Sequence, residues 1–86
     1  MIYTVSVTDA EALALSSEAV DPVGWVENAV KERCRVAVEN VVRVAVERCL
    51  AEGIPVPATK DAIVQLAFQQ GWVRSAAEVQ AELEAR

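Results

Sequence analysis

From Pro22 to Glu52 the chain runs without a second proline, and its one glycine, Gly24, falls in the first turn of that stretch. Asp21-Pro22 is a helix start, because Asp accepts from orphan N–H groups and proline at the first helical position has no N–H to leave unpaired. Gly53 stands where a left-handed residue ends a helix. A helix over residues 22–52 would be a rod of roughly 46 Å at about 1.5 Å per residue, and whatever else the chain contains must be arranged around it.

One competing reading comes from valine. Arg35-Val-Ala-Val-Glu39 recurs as Arg43-Val-Ala-Val-Glu47, and alternating valines with Glu39-Asn40 between them are also a hairpin pattern. A tight hairpin calls for Asn-Gly or Asp-Gly, whereas Val41 follows Asn40. Arg35, Glu39, Arg43 and Glu47 alternate in sign every four residues, which places opposite charges one helical turn apart. The spacing predicts a helix. Its apolar arc of roughly 160° runs through Val26, Val30, Cys34, Ala37, Val38, Val41, Val42, Val44, Ala45 and Cys49, wider than the usual stripe of a surface helix. It is filled either by the other helices of the chain or in part by a second copy.

Around the rod three shorter helices are expected. Thr8-Asp-Ala-Glu11 has the capping-box pattern and opens a helix over 9–19; Thr59 caps one over 60–70, stopped by Gly71; Ser75-Ala-Ala-Glu78 opens a thinly apolar one over 76–85 that should fray. Ile54-Pro-Val-Pro57 is an extended connector, since each proline drives the residue before it out of helical geometry. Ahead of these, residues 1–7 alternate, with Tyr3, Val5 and Val7 on one side and Ile2, Thr4 and Ser6 on the other, which reads as a short β-strand. A lone strand has no ladder of its own, so it is expected to pair with another chain. The fold class is therefore mainly α: a single domain over residues 1–86, a small helical bundle built round one long helix, with an N-terminal strand directed outward.

Composition narrows the chemistry. The 86 residues contain no histidine, which removes the commonest general base and metal ligand and with it serine–histidine and cysteine–histidine catalysis. Cys34 and Cys49 stand alone, without a Cys-x-x-Cys pair, and are expected as small core residues rather than ligands or a redox couple. No glycine-rich phosphate loop or Asp-x-Asp series is present. Neither a catalytic residue nor a cofactor, metal or small-molecule site is expected, and the chain reads as a non-enzyme.

Net charge is −5, and the first 29 residues hold Asp9, Glu11, Glu18, Asp21 and Glu27 with no basic side chain. That sign argues against nucleic acid, as does the acidic helix after Ser75, which would have to sit in a phosphate-lined groove. The acidic segment either supports helix N-termini or docks on a basic neighbour. No apolar run of membrane-spanning length occurs, and Met1–Val7 has no leader character, so the expected location is a reducing cytoplasm with no membrane partner.

What remains is contact with proteins. The candidate partner-binding residues are Ile2, Tyr3, Val5 and Val7 on the strand, Val36, Val46 and Leu50 beside the charged edge of the long helix, and Trp72 just past the Gly71 stop. Trp25, on the first turn of the long helix, is expected instead in the core.

Asp21-Pro22-x-x-Trp25-x-x-Asn28-Ala29-Val30, followed by the long charged helix and then Ile54-Pro55 and Thr59-Lys60, resembles small proteins of unassigned role encoded by tailed bacteriophages. The resemblance covers residues 21–73. It implies a virion component or assembly factor present in several copies, at a tail, baseplate or fibre attachment, bound to itself or to other virion proteins. It brings no catalytic residue. The alternative is a dimeric cytoplasmic regulator, antitoxin-like or directed against a host factor, that masks its partner with an acidic surface.

Overall fold

The computed structural model describes all residues, Met1–Arg86, and contains four helices: α1 (Asp9–Glu18), α2 (Pro22–Glu52), α3 (Lys60–Gln69) and α4 (Ala76–Glu84). The protein is mainly α-helical, and no helix is long and apolar enough to cross a membrane. The valine repeat lies wholly within α2, so the hairpin alternative is not adopted. Arg35 and Glu39 close a 2.9 Å ion pair one turn apart on its exposed side.

Each helix starts and stops for a local reason. At α1 the capping box is complete: the Thr8 hydroxyl accepts from the Glu11 N–H at 3.1 Å, and the Glu11 carboxylate accepts from the Thr8 N–H at 2.9 Å. The backbone N–H of Thr8, with its hydroxyl adding to the effect, holds the Glu11 carboxyl below the usual carboxylate range. Thr59 and Ser75 accept from the N–H groups of Ala62 and Glu78, each at 3.1 Å. Gly53 and Gly71 take positive φ, and the chain then folds back: the Ile54 N–H reaches the Cys49 carbonyl at 2.9 Å, and the Trp72 N–H reaches the Ala67 carbonyl at 3.0 Å. These are Schellman closures, and each returns the residue after the glycine onto the last turns of its helix.

The residues group into two compact units, Met1–Arg33 and Cys34–Arg86. The C-terminal unit is a small helical bundle with a core of Ala45, Ile63 and Ala67, against which Val41, Val42, Trp72 and Val73 are packed. Ala45 and Ala67 are fully buried, which lets α2 and α3 approach closely, and Cys49 is buried one turn beyond Ala45. α4 buries no residue. It is held at its edge by Glu82, which accepts from Arg74 and, at 3.3 Å, from Arg86; the Arg74 contact is the main reason the Glu82 carboxyl lies below its ordinary range.

The N-terminal unit is built differently. Its one buried residue is Ala19. The strand expected over Ile2–Val7 does not form: residues 1–8 have no regular secondary structure, and no backbone hydrogen bond ties Ile2–Val7 to the rest of the chain. The reason is the one the sequence already contains, since a strand needs a second strand to complete its ladder and this chain has none. Two further expectations are corrected. Trp25 is 56% exposed instead of buried in a core, and Cys34 is exposed while Cys49 alone behaves as a core cysteine. The wide arc of α2 is accordingly covered only in its C-terminal half, leaving Val26 and Val30 open to solvent.

Candidate interaction surface

Scattered exposed leucines or valines need no explanation, but contiguous ones do. In the N-terminal unit they are contiguous.

Two adjoining clefts concentrate this surface. The first, of about 420 Å³, is lined by Val5 and Val7, by Ala12 and Leu15 of α1, and by Pro22, Val23, Val26 and Glu27 of α2. The second, of about 450 Å³, is bounded by Met1, Ile2, Tyr3 and Val5 together with Val26 and Val30, with Glu27 and Lys31 as its polar rim. Val5, Val26 and Glu27 belong to both, so the two clefts form one apolar trough.

Of the residues singled out from the sequence, Ile2, Tyr3, Val5 and Val7 are gathered here. The first three remain at least 80% exposed and Val7 is 58% exposed. Val36 and Val46 are half-buried, and Leu50 is exposed; all three belong to the C-terminal unit. Trp72 is also placed there, half-buried against the Ala45–Ile63–Ala67 core, with the Arg48 guanidinium 5.9 Å from its ring centre. The Schellman turn at Gly71 is what carries Trp72 back onto Ala67, so its first contact is within its own unit.

Sequence reasoning passed over Ala12, Leu15 and Val23. Ala12 and Leu15 are three apart on one helical face, and this spacing is the available signal for what α1 contributes to the first cleft. No side chains of the type that bind metals gather in threes, and no buried polar side chain lacks a partner. Apart from Glu27, Lys31 and the phenol of Tyr3, the side chains lining the surface are apolar. No known protein family, curated protein or solved structure matches the chain.

Proposed function

We propose that the chain is a non-enzymatic adaptor that works by protein–protein contact, as a structural or assembly component of a tailed-bacteriophage particle, at a tail, baseplate or fibre attachment. The observation that carries the adaptor reading is the apolar trough of the N-terminal unit, assembled from the segment around Val5, from α1 and from the start of α2, with Ala19 as the unit's one buried residue. The resemblance of residues 21–73 to small phage proteins supplies the particle. Neighbouring virion proteins, with further copies of the chain among them, would cover the trough, and Ile2–Val7 would complete its missing ladder on a partner's sheet edge.

The five carboxylates of the first 29 residues favour a second reading, a cytoplasmic regulator that masks a basic target. The two differ in where the chain ends up. Mass spectrometry of purified particles from producing cells should find the chain in several copies per particle. A chain that stays free in the cytoplasm while particles form at full yield without it would overturn the virion reading and leave the regulator.

A further inference from the structure

The last helix is held differently from the two it follows. Every residue from Ala76 to Arg86 is exposed, and α4 contributes nothing to the core of Ala45, Ile63 and Ala67. Its two larger apolar side chains, Val79 and Leu83, are 38% and 58% exposed. A helix of 9 residues makes too few hydrogen bonds to offset the cost of its first turn in water. With no buried face, α4 depends on its cap and on its own side chains.

Those side chains converge on one carboxylate. Glu82 accepts from Arg74, which precedes the Ser75 cap, and at 3.3 Å from Arg86, which follows the helix. A single acidic group therefore links the residues on either side of α4. The like charge on its own face is Glu78, one turn back, while Glu84 is engaged by the Gln80 amide at 3.0 Å. The balance favours the ionised form, since Arg74 above all, with Arg86 adding to it, holds the Glu82 carboxyl below its ordinary range. The sign follows from linkage: a carboxyl with a lowered pKa in the helix stabilises that helix at neutral pH, and the contribution is lost as the pH falls through the lowered value. Exposed pairs of this kind are weak, and two of them together change a helix–coil ratio by about two- to fivefold. For an element buried in a core that is negligible; for α4 it decides the conformation.

We infer that α4 is an electrostatically latched segment: the Arg74–Glu82–Arg86 bridge keeps residues 76–84 helical, and acid or high salt unwinds them while the core around Ile63 stays folded. The latch ties the ionisation of one carboxylate to the conformation of residues 76–86, and unwinding frees two guanidinium groups that the helix keeps paired. It holds whether or not the chain joins a particle, and so goes beyond the adaptor reading.

The test is NMR of the full chain, isotope-labelled, with the helical content of residues 76–84 read from Cα shifts and the methyl signals of Ile63 reporting the core. At pH 7, raising salt from about 0.05 M to 1 M, where exposed charges are screened within about 3 Å, is expected to lower the helix–coil ratio of 76–84 by about two- to fivefold with Ile63 unchanged. Glu82→Gln at low salt should reproduce that loss and remove most of the salt effect. Arg74→Ala lies outside the helix and should also lower the ratio, yet add nothing further when combined with Glu82→Gln, because both act through one contact. Lowering the pH of the parent from 7 to 3 should unwind 76–84 before the Ile63 signals change. Helical content in Glu82→Gln equal to that of the parent overturns the inference, as do fully additive effects of the two substitutions. Unwinding of 76–84 only in step with the loss of the Ile63 signals would make α4 an integral part of the bundle and overturn it as well.

Discussion

Replacing Ile63 with alanine is expected to destabilise the C-terminal unit by about 2–5 kcal/mol, the range for truncating a buried aliphatic side chain. Ile63 is the one large side chain in the buried cluster with Ala45 and Ala67, and the alanines have no atoms to spare for refilling the space it leaves. A unit of this size starts with little stability to lose, so the expected outcome is substantial unfolding near room temperature. Urea denaturation followed by circular dichroism measures it. Leu50→Ala, at a side chain 74% exposed on the same unit, is expected within about 0.5 kcal/mol of the parent. A comparable loss at both positions would mean that the C-terminal core is not where the burial pattern puts it.

The second large effect separates the tryptophans. Trp72→Ala is expected to cost about 2–3 kcal/mol, below the figure for a fully buried tryptophan because Trp72 is half-buried. It removes the ring that packs on the alanine–isoleucine core and over which the Arg48 guanidinium sits. The cation–π part of that sum is about 0.5–1 kcal/mol for a pair this open to water. Trp25→Ala is expected to change stability by about 0.5 kcal/mol or less, as exposed substitutions do. Urea midpoints of the two variants give the ranking, and the fluorescence of Trp72→Ala, left with Trp25 alone, should be that of a water-exposed indole. The reverse ranking would return Trp25 to a core and make the N-terminal unit a closed one.

The elements that are legible in the sequence are those governed by neighbouring residues. Asp21-Pro22 and Gly53 bound α2 at the residues where the helix begins and ends, and Thr8, Thr59 and Ser75 each accept from an N–H three residues on. Caps and glycine stops act over one turn, so a local pattern contains all the information they use. Burial is not local. The arc from Val26 to Cys49 reads as one apolar face, yet α3 and the turn after it cover only the part near Ala45, and nothing in the valine spacing distinguishes the covered half from the open one.

The placement of the tryptophans is non-local for a related reason. Trp25 sits beside a strong helix start and Trp72 beside a helix stop, and the side on which each ring lies depends on how the chain leaves the helix. At Gly71 the left-handed turn sends Trp72 back toward Ala67. The N-terminal alternation is legible as a strand pattern, while its outcome depends on a partner strand that this chain lacks. The trough is half legible: the alternation marks Val5 and Val7, while nothing in the sequence sets Ala12 and Leu15 beside them.

Native-state amide exchange on the free, dilute chain tests most directly whether burial is confined to the C-terminal unit and the N-terminal surface stands open. Amides of Ala45, Cys49, Ile63 and Ala67 are expected to exchange only through unfolding of their unit, while those of Ile2–Val7 exchange at the rate of an unstructured peptide. Protection of Ile2–Val7 comparable to that of Ile63, persisting on dilution, would mean that the chain covers this segment by itself, and would contradict an interaction surface there.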